Sequence, residues 1–392
     1  MTLTKKQEEG LRIAVERYRN GELYTVISGY AGTGKSTLVK YIIAALGVSL
    51  DHVAYIAYTG KAAQVLRRKG CANAMTGHRL LYTSVPLKNG NFKHIPKESI
   101  DPYDVIVVDE VSMFPDRMWT LLLSHRKYVI ALGDPGQLPP VCANQTEVLN
   151  HPHIFLDEIM RQAQESEIIR LTMDIREGKT LNPYSGEQVR IVRRNELQRS
   201  GFLFWGDQIL CAKNATRRQL NNLIRKGKFN IEDTLPIVGD KIICLHNDWE
   251  FVNAAGDALV NGLSGNITDL TYLQRHDKGY NPYTKETPII TLAPDYEGQN
   301  NNFYNLEIDY RIFAEGVPTI DSDNWSRIPK LYHPHEFDYG YAITTWKAQG
   351  SEWNKVIGFV EYMKSQTKED VTKFLYTMAT RASEKLILVL PY

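Results

Sequence analysis

The sequence predicts an α/β protein of two lobes, each built on a parallel sheet, with a small β element inserted in each. Three observations carry that prediction. The first 165 residues alternate short apolar runs with helical patterns: YTVIS (24–28), HVAYIAY (52–58), DVIVVDE (104–110) and YVIALGD (128–134). Runs that are apolar along their whole length and separated by helices belong to parallel sheets covered on both faces. A second set returns later as QVRIV (188–192), QILCAK (208–213), VIGFVEY (356–362) and KLILVL (385–390). From about 240 to 335 the chain turns rich in Gly, Asn, Asp and Tyr, with short alternating strands such as KIICLH, TPIITLA and FYNLEIDY. That stretch reads as a β insertion in the second lobe. The expected division is 1–165 for the first lobe, 166–239 plus 336–392 for the second, and 240–335 for the insertion. A smaller insertion is expected over about 82–98, where Asn89-Gly90 lies between two short arms. Asn-Gly favours the tight turn of a two-residue hairpin, which sets Phe92 near its tip.

Composition narrows the function classes. The 392 residues are 43% apolar and 23% charged, as in ordinary globular proteins, so extended disorder is not expected. The formal charge of +1 offers no overall positive field, so a nucleic-acid partner has to be met by a local groove. Cys71, Cys142, Cys211 and Cys244 are far apart with no C-x-x-C pair, against a zinc site or a disulfide framework, and a reducing cytoplasm is expected. The N-terminus, MTLTKKQEEGLRIAVERYRNG, is charged throughout, and no apolar run is long enough to span a bilayer, so neither an export signal nor a membrane partner is predicted.

GYAGTGKST (29–37) fits G-x-x-x-x-G-K-[ST] and stands between the strand YTVIS and the helical stretch LVKYIIAAL. In such a turn Gly29, Gly32, Thr33, Gly34, Lys35, Ser36 and Thr37 present backbone N–H groups to phosphate, Lys35 reaches the β and γ phosphates, and the Ser36 hydroxyl serves Mg²⁺. Asp109-Glu110 closes VIVVDE at the carboxyl end of a strand, where ligands sit in open α/β sheets. Two acids there also suit a helix N-terminus. Beside a phosphate loop they form a hydrolysis site, Asp109 holding Mg²⁺ through water and Glu110 polarising the attacking water. GDPGQLPPV (133–141) follows a third strand; it is either a proline-stiffened turn or a loop carrying Gln137 toward the γ-phosphate.

With these three pieces in order the chain resembles the superfamily 1 helicases, within them the RecD-like subclass that includes the small phage helicase Dda. The resemblance runs over essentially the whole chain through further motifs in order. Gln7 in LTKKQEEG matches an adenine-reading glutamine, although Thr4-x-x-Gln7 is equally a capping box. AYTGKAA (57–63) supplies Thr59 and Lys61, and MTGHRLL supplies Thr76 and His78, as DNA contacts. FLDEIMRQA supplies Arg161 and LYTMATRAS supplies Tyr376, Thr380 and Arg381, the two arginines facing the nucleotide from both lobes. AITTWKAQGSEW is similar to the family's T-x-x-K-x-Q-G-x-E strip, with Thr344 and Lys347 on DNA and Gln349, Gly350 and Glu352 toward nucleotide. Trp346 stands where many relatives have histidine, and either stacks on a base or packs between lobes.

The resemblance implies two RecA-like P-loop lobes, an SH3-like fold for the 240–335 insertion, ATP and Mg²⁺ as cofactors, and single-stranded DNA and its junctions with duplex as partners. The implied activity is an ATP hydrolase that moves 5′ to 3′ on one strand and unwinds duplex, acting as a monomer, with replication or recombination proteins as candidate associates. Phe92 becomes a candidate wedge at the junction. A translocase that displaces proteins without opening duplex would carry the same motifs, whereas a nucleotide-gated binding module would lack the second arginine and the T-x-x-K-x-Q-G-x-E strip.

Overall fold

The computed structural model describes residues 3–86, 92–139, 147–160, 164–196, 200–254, 258–274, 286–295, 301–318, 333–363 and 366–391. Two six-stranded sheets dominate. The first runs in the order 74–76, 53–57, 105–108, 128–133, 24–29, 154–156, all parallel. Its residues divide by parity between two cores. Val26, Ala54, Ile56, Ile106, Val108, Val129 and Ala131 face one side, where Phe114, Met118, Trp119 and Leu122 cover them. Ile27, Val53, Val105, Val107, Ile130 and Leu132 face the other, against Leu38, Val39, Ile42 and Ile43 of the helix Lys35–Leu46. Burial on both faces is why these strands read as unbroken apolar runs.

The second sheet runs 342–344, 208–211, 353–359, 382–390, 189–193, 184–185, parallel except for the last edge strand. Its two faces are again separate cores, one under the helices Glu167–Arg176 and Lys368–Ala379, the other under Asn214–Phe229. The first of these cores continues past the second lobe: Leu138, Tyr30 and Ala31, all from the first lobe, pack into it. The lobes therefore meet at the ends of the strands that carry the motifs.

Between the second lobe's elements lies an antiparallel five-stranded sheet, ordered 303–307, 286–294, 264–274, 241–244, 337–339. The strand 337–339 belongs to this sheet, beyond the residue 335 at which the sequence reading closes the insertion. The chain leaves the second lobe through Lys241–Cys244 and returns through Phe337–Tyr339, which pair with each other. A buried ion pair fixes that root. Arg225 Nε donates to both Asp240 oxygens at 3.0 and 3.1 Å, its other nitrogens donate to the carbonyls of Asp233 and Leu235, and the Tyr341 hydroxyl donates to Asp240 Oδ1 at 3.0 Å. An ion pair in which every guanidinium nitrogen has an acceptor escapes much of the usual penalty of buried charge. In the first lobe, Tyr82–Pro86 and Phe92–Pro96 pair as the two arms of a hairpin, Phe92 opposite Pro86. Asn89-Gly90 and the Phe92 side chain lie outside the described residues.

Candidate functional site

The strand Tyr24–Gly29 ends in the P-loop, and the helix that follows begins at Lys35. Gly32 and Gly34 both adopt φ of 78°, a left-handed conformation that turns successive amides the same way and that a side chain would resist. An open cleft of about 320 Å³ lies along Gly34, Lys35, Ser36, Thr37 and Met160. Lys35 Nζ donates to the carbonyl oxygens of Gly29 and Tyr30 at 2.7 and 3.0 Å and stands 4.0 Å from Asp134 Oδ2. Gln7 takes the capping part of its expectation: it forms a capping box with Thr4 at the start of helix Lys5–Arg19, its Oε1 accepting the Thr4 N–H at 3.0 Å, while its Nε2 donates to the carbonyl of Thr33 at 3.0 Å, on the P-loop itself.

Asp109 and Glu110 follow the strand Val105–Val108. Glu110 adopts φ of 50°, unusual for a residue with a side chain, and the sequence carried no signal for it. Burial raises both carboxyls above their usual range against the opposing pull of nearby cations, Lys35 for Asp109 and Arg381 for Glu110. Two desolvated carboxylates beside two fixed cations and a phosphate loop form a cradle that gains from a divalent cation, so the residues present fit Mg²⁺.

The second lobe closes this cradle. Arg381, 5% exposed, places its NH1 3.9 Å from Glu110 Oε1 and is held by donation to the carbonyls of Thr377 and Ser351 and to the Thr380 hydroxyl. The fully buried Tyr376 reaches across: its hydroxyl accepts the N–H of Ala31 at 2.7 Å and donates to Asp134 Oδ2 at 2.8 Å. Thr377 Oγ1 accepts the N–H of Leu138, and Gln349 Nε2 donates to the carbonyl of Leu138, each at 2.8 Å. A Cβ at Gly136 would meet the Tyr376 ring at 3.0 Å, so a side chain there fits only if the ring shifts by a few tenths of an ångström. Gln137 sits half-buried in this same clamped loop. Gly350 lies against Ala62, near Glu110 and Thr59.

Several expected residues take other places. The Glu352 carboxylate is exposed and paired with Lys69 Nζ at 3.0 Å. Thr59 and Thr76 spend their hydroxyls on helix caps, accepting from Ala62 and Arg79. Lys61 is half-buried with Nζ 4.5 Å over the Trp353 ring, and burial, helped by Lys241 and Arg68 against Asp295, lowers its pKa to about 7. Lys347 is likewise brought down to about 8 by burial. Trp346 packs on Phe374 at 5.5 Å between ring centroids, inside the second lobe's core. Thr76 and His78 line a cavity of about 460 Å³ with Gly60, Arg67 and Val260, between the first lobe and the insertion. Arg161 lies outside the described residues. The sequence holds no local signal for the parts of Asp134, Thr377 and Trp353; Asp134 belongs to the GDPGQ loop, but nothing local marks it as a partner for Tyr376.

A model of the AAA domain matches residues 2–196, and one of the UvrD-like helicase C-terminal domain matches 339–389. The ATP-dependent RecD2 DNA helicase of Deinococcus radiodurans is 28% identical over 402 residues, covering 97% of this chain and 49% of that protein. The ATP-dependent DNA helicase Dda of phage T4 is 26% identical over 267 residues, 62% of this chain and 60% of that one. The chain belongs to the superfamily 1 helicases of the RecD-like type. It spans about half to three fifths of the length of these two relatives. Among solved structures, the Pif1 helicase from Bacteroides in complex with ADP-AlF3 and single-stranded DNA shares the fold at a TM-score of 0.53 and 18% identity, covering 99% of this chain and 92% of that one. The α/β lobes with parallel sheets thus fit the RecA-like helicase fold. Among the described residues no helix is long and apolar enough to cross a membrane, and no cluster of three His, Cys, Asp or Glu side chains is placed to hold a metal by itself.

Proposed function

We propose that this RecD-like chain is an ATP-dependent DNA helicase that moves 5′ to 3′ on single strands and opens duplex ahead of it. The observation that supports this most is the meeting of charges from two lobes at Glu110, which feels both Lys35 of the P-loop and Arg381 of the second lobe, so a nucleotide held on the P-loop would sit between both bodies. Lys35 and the P-loop amides bind and orient the phosphates. Glu110, its carboxyl raised by burial, takes a proton from the attacking water, and Arg381 stabilises the charge gathering on the transferring phosphoryl group, with Arg161 as its proposed counterpart from the first lobe. Mg²⁺, when bound beside Ser36 and Asp109, supplies further neutralisation of phosphate charge.

Nucleotide-driven closing and opening of the lobes would be read by the strand-contacting residues Thr59, Lys61, Thr76, His78, Thr344 and Lys347. Phe92, at the described end of the hairpin arm, is the proposed wedge, and the 241–339 sheet is the proposed SH3-like module. A strand-separation assay on duplexes with a 5′ or a 3′ single-stranded tail, with ATP and Mg²⁺, tests the reading: opening of the 5′-tailed substrate alone is expected. Hydrolysis stimulated by single strands with neither substrate opened would leave a translocase instead.

A further inference from the structure

Resting on that reading, we infer that Tyr376 is a positioning residue that ties the phosphate-binding loop of the first lobe to Arg381 of the second, so that occupancy of the P-loop sets where the arginine stands. The hydroxyl of Tyr376 is the meeting point of two first-lobe groups, the N–H of Ala31 between Gly29 and Gly32, and the carboxylate of Asp134. Asp134 is itself a charge neighbour of the P-loop lysine, Oδ2 lying 4.0 Å from Lys35 Nζ, and its other oxygen accepts the N–H of Gly136 at 2.9 Å. In the structure Lys35 is occupied with the carbonyls of Gly29 and Tyr30. An incoming phosphate draws that ammonium to itself, and Asp134 then keeps Tyr376 and Gly136 as its partners. The bond across the lobes is therefore strengthened or relaxed by what Lys35 holds.

What Tyr376 feels, Arg381 follows. Tyr376 lies in the last turn of helix Lys368–Ala379, and Arg381, two residues past the helix, is locked to that end: its Nε donates to the Thr377 carbonyl at 3.1 Å and its Nη2 to Thr380 Oγ1 at 3.1 Å. Thr377, next to Tyr376 in the chain, is fixed to the first lobe by the N–H of Leu138, which its hydroxyl oxygen accepts. There is little slack along this short path, so a shift of the hydroxyl moves the guanidinium relative to Glu110, 3.9 Å away. Burial and the Asp134 carboxylate push the phenol's pKa upward, so the hydroxyl stays protonated and able to donate.

The test is a double-mutant cycle on the full chain with Tyr376→Phe, which deletes the hydroxyl and keeps the ring, and Arg381→Ala. Tyr376→Phe is expected to bind a fluorescent ADP analogue within about threefold of the wild type and to lower kcat for DNA-stimulated hydrolysis by roughly 10- to 100-fold with little change in KM. In the Arg381→Ala background the same substitution should change kcat by less than about twofold, because the group it acts through is gone. Equal losses in both backgrounds, or a loss of ADP affinity in step with kcat, would overturn the inference and leave Tyr376 as a prop for the P-loop. A second measurement needs no turnover: ATPγS should slow amide exchange over residues 374–381 in the wild type and not in Tyr376→Phe, and equal slowing in both also overturns it. Failure of the helicase reading shows separately, as absent hydrolysis in the unmutated chain.

Discussion

The two lobes turn the same corner in different ways. In the first, the strand 24–29 leads through the P-loop into helix Lys35–Leu46, and the helix N-terminus stands open on a cleft. In the second, the strand 208–211 leads into helix Asn214–Phe229, and the corner is filled from within: Glu361 Oε2 accepts the N–H groups of Ala212 and Lys213 at 2.9 and 3.0 Å, and its Oε1 accepts the Thr216 hydroxyl at 2.5 Å. A helix N-terminus attracts an anion in either place. One lobe supplies its own carboxylate and becomes a fixed body; the other leaves the position to a phosphate and becomes the responsive one.

The strongest way to break this comparison is Lys35→Ala, which should cut ATP hydrolysis by roughly 10²- to 10³-fold while leaving the melting temperature nearly unchanged, since the ammonium hydrogen-bonds loop carbonyls and reaches its nearest paired carboxylate, that of Asp134, only at 4.0 Å. A fall in melting temperature matching that of a core mutant would mean the open corner is structural after all. Next comes pH. Lys61 and Lys347 have been folded into half-buried junctions and titrate near 7 and 8, whereas a phosphate partner would restore the ordinary value near 10.4. Binding a strand then takes up protons above pH 7, so affinity for oligo-dT at constant ionic strength should fall by about tenfold or more from pH 7 to 9. Anisotropy titrations showing a flat profile would remove these two lysines from the strand.

Glu361→Ala tests the filled corner. Losing its acceptors should cost about 1–3 kcal/mol, seen as a melting temperature several degrees lower, with hydrolysis at 25 °C altered less than about twofold. An unchanged melting temperature would show that water replaces the carboxylate without loss. The smallest effect is expected at Glu352→Gln. Its exposed pair with Lys69 should contribute less than about 1 kcal/mol, and KM for ATP should stay put; a raised KM would return Glu352 to the nucleotide.

The sequence made the open corner legible and left the filled one hidden, for a physical reason. The P-loop is nine consecutive residues whose spacing is its function, so Lys35 and its flanking strand and helix could be read directly. Glu361 serves Ala212 from 149 positions away, and Tyr376 serves Asp134 from 242 away. No local pattern announces such pairs. The strands themselves were visible because burial on both faces demands unbroken apolar runs, as in VIVV at 105–108. The left-handed turn at Glu110 and the exposure of Glu352 depend on packing around them, and a residue's type does not report it.

The root of the antiparallel sheet has a mechanical consequence. Because Arg225, Asp240, Tyr341 and the paired strands 241–244 and 337–339 join it to the second lobe, the sheet would turn with that lobe as a lever. Its longest strand, the eleven residues from Ser264 to Gln274, extends roughly 35 Å at about 3.3 Å per residue, so a turn of the lobe by about 5° would carry the far end some ~3 Å. Small rotations at the nucleotide cleft would thus arrive, magnified, at the end of the arm, as a stroke comparable to the rise between neighbouring base pairs.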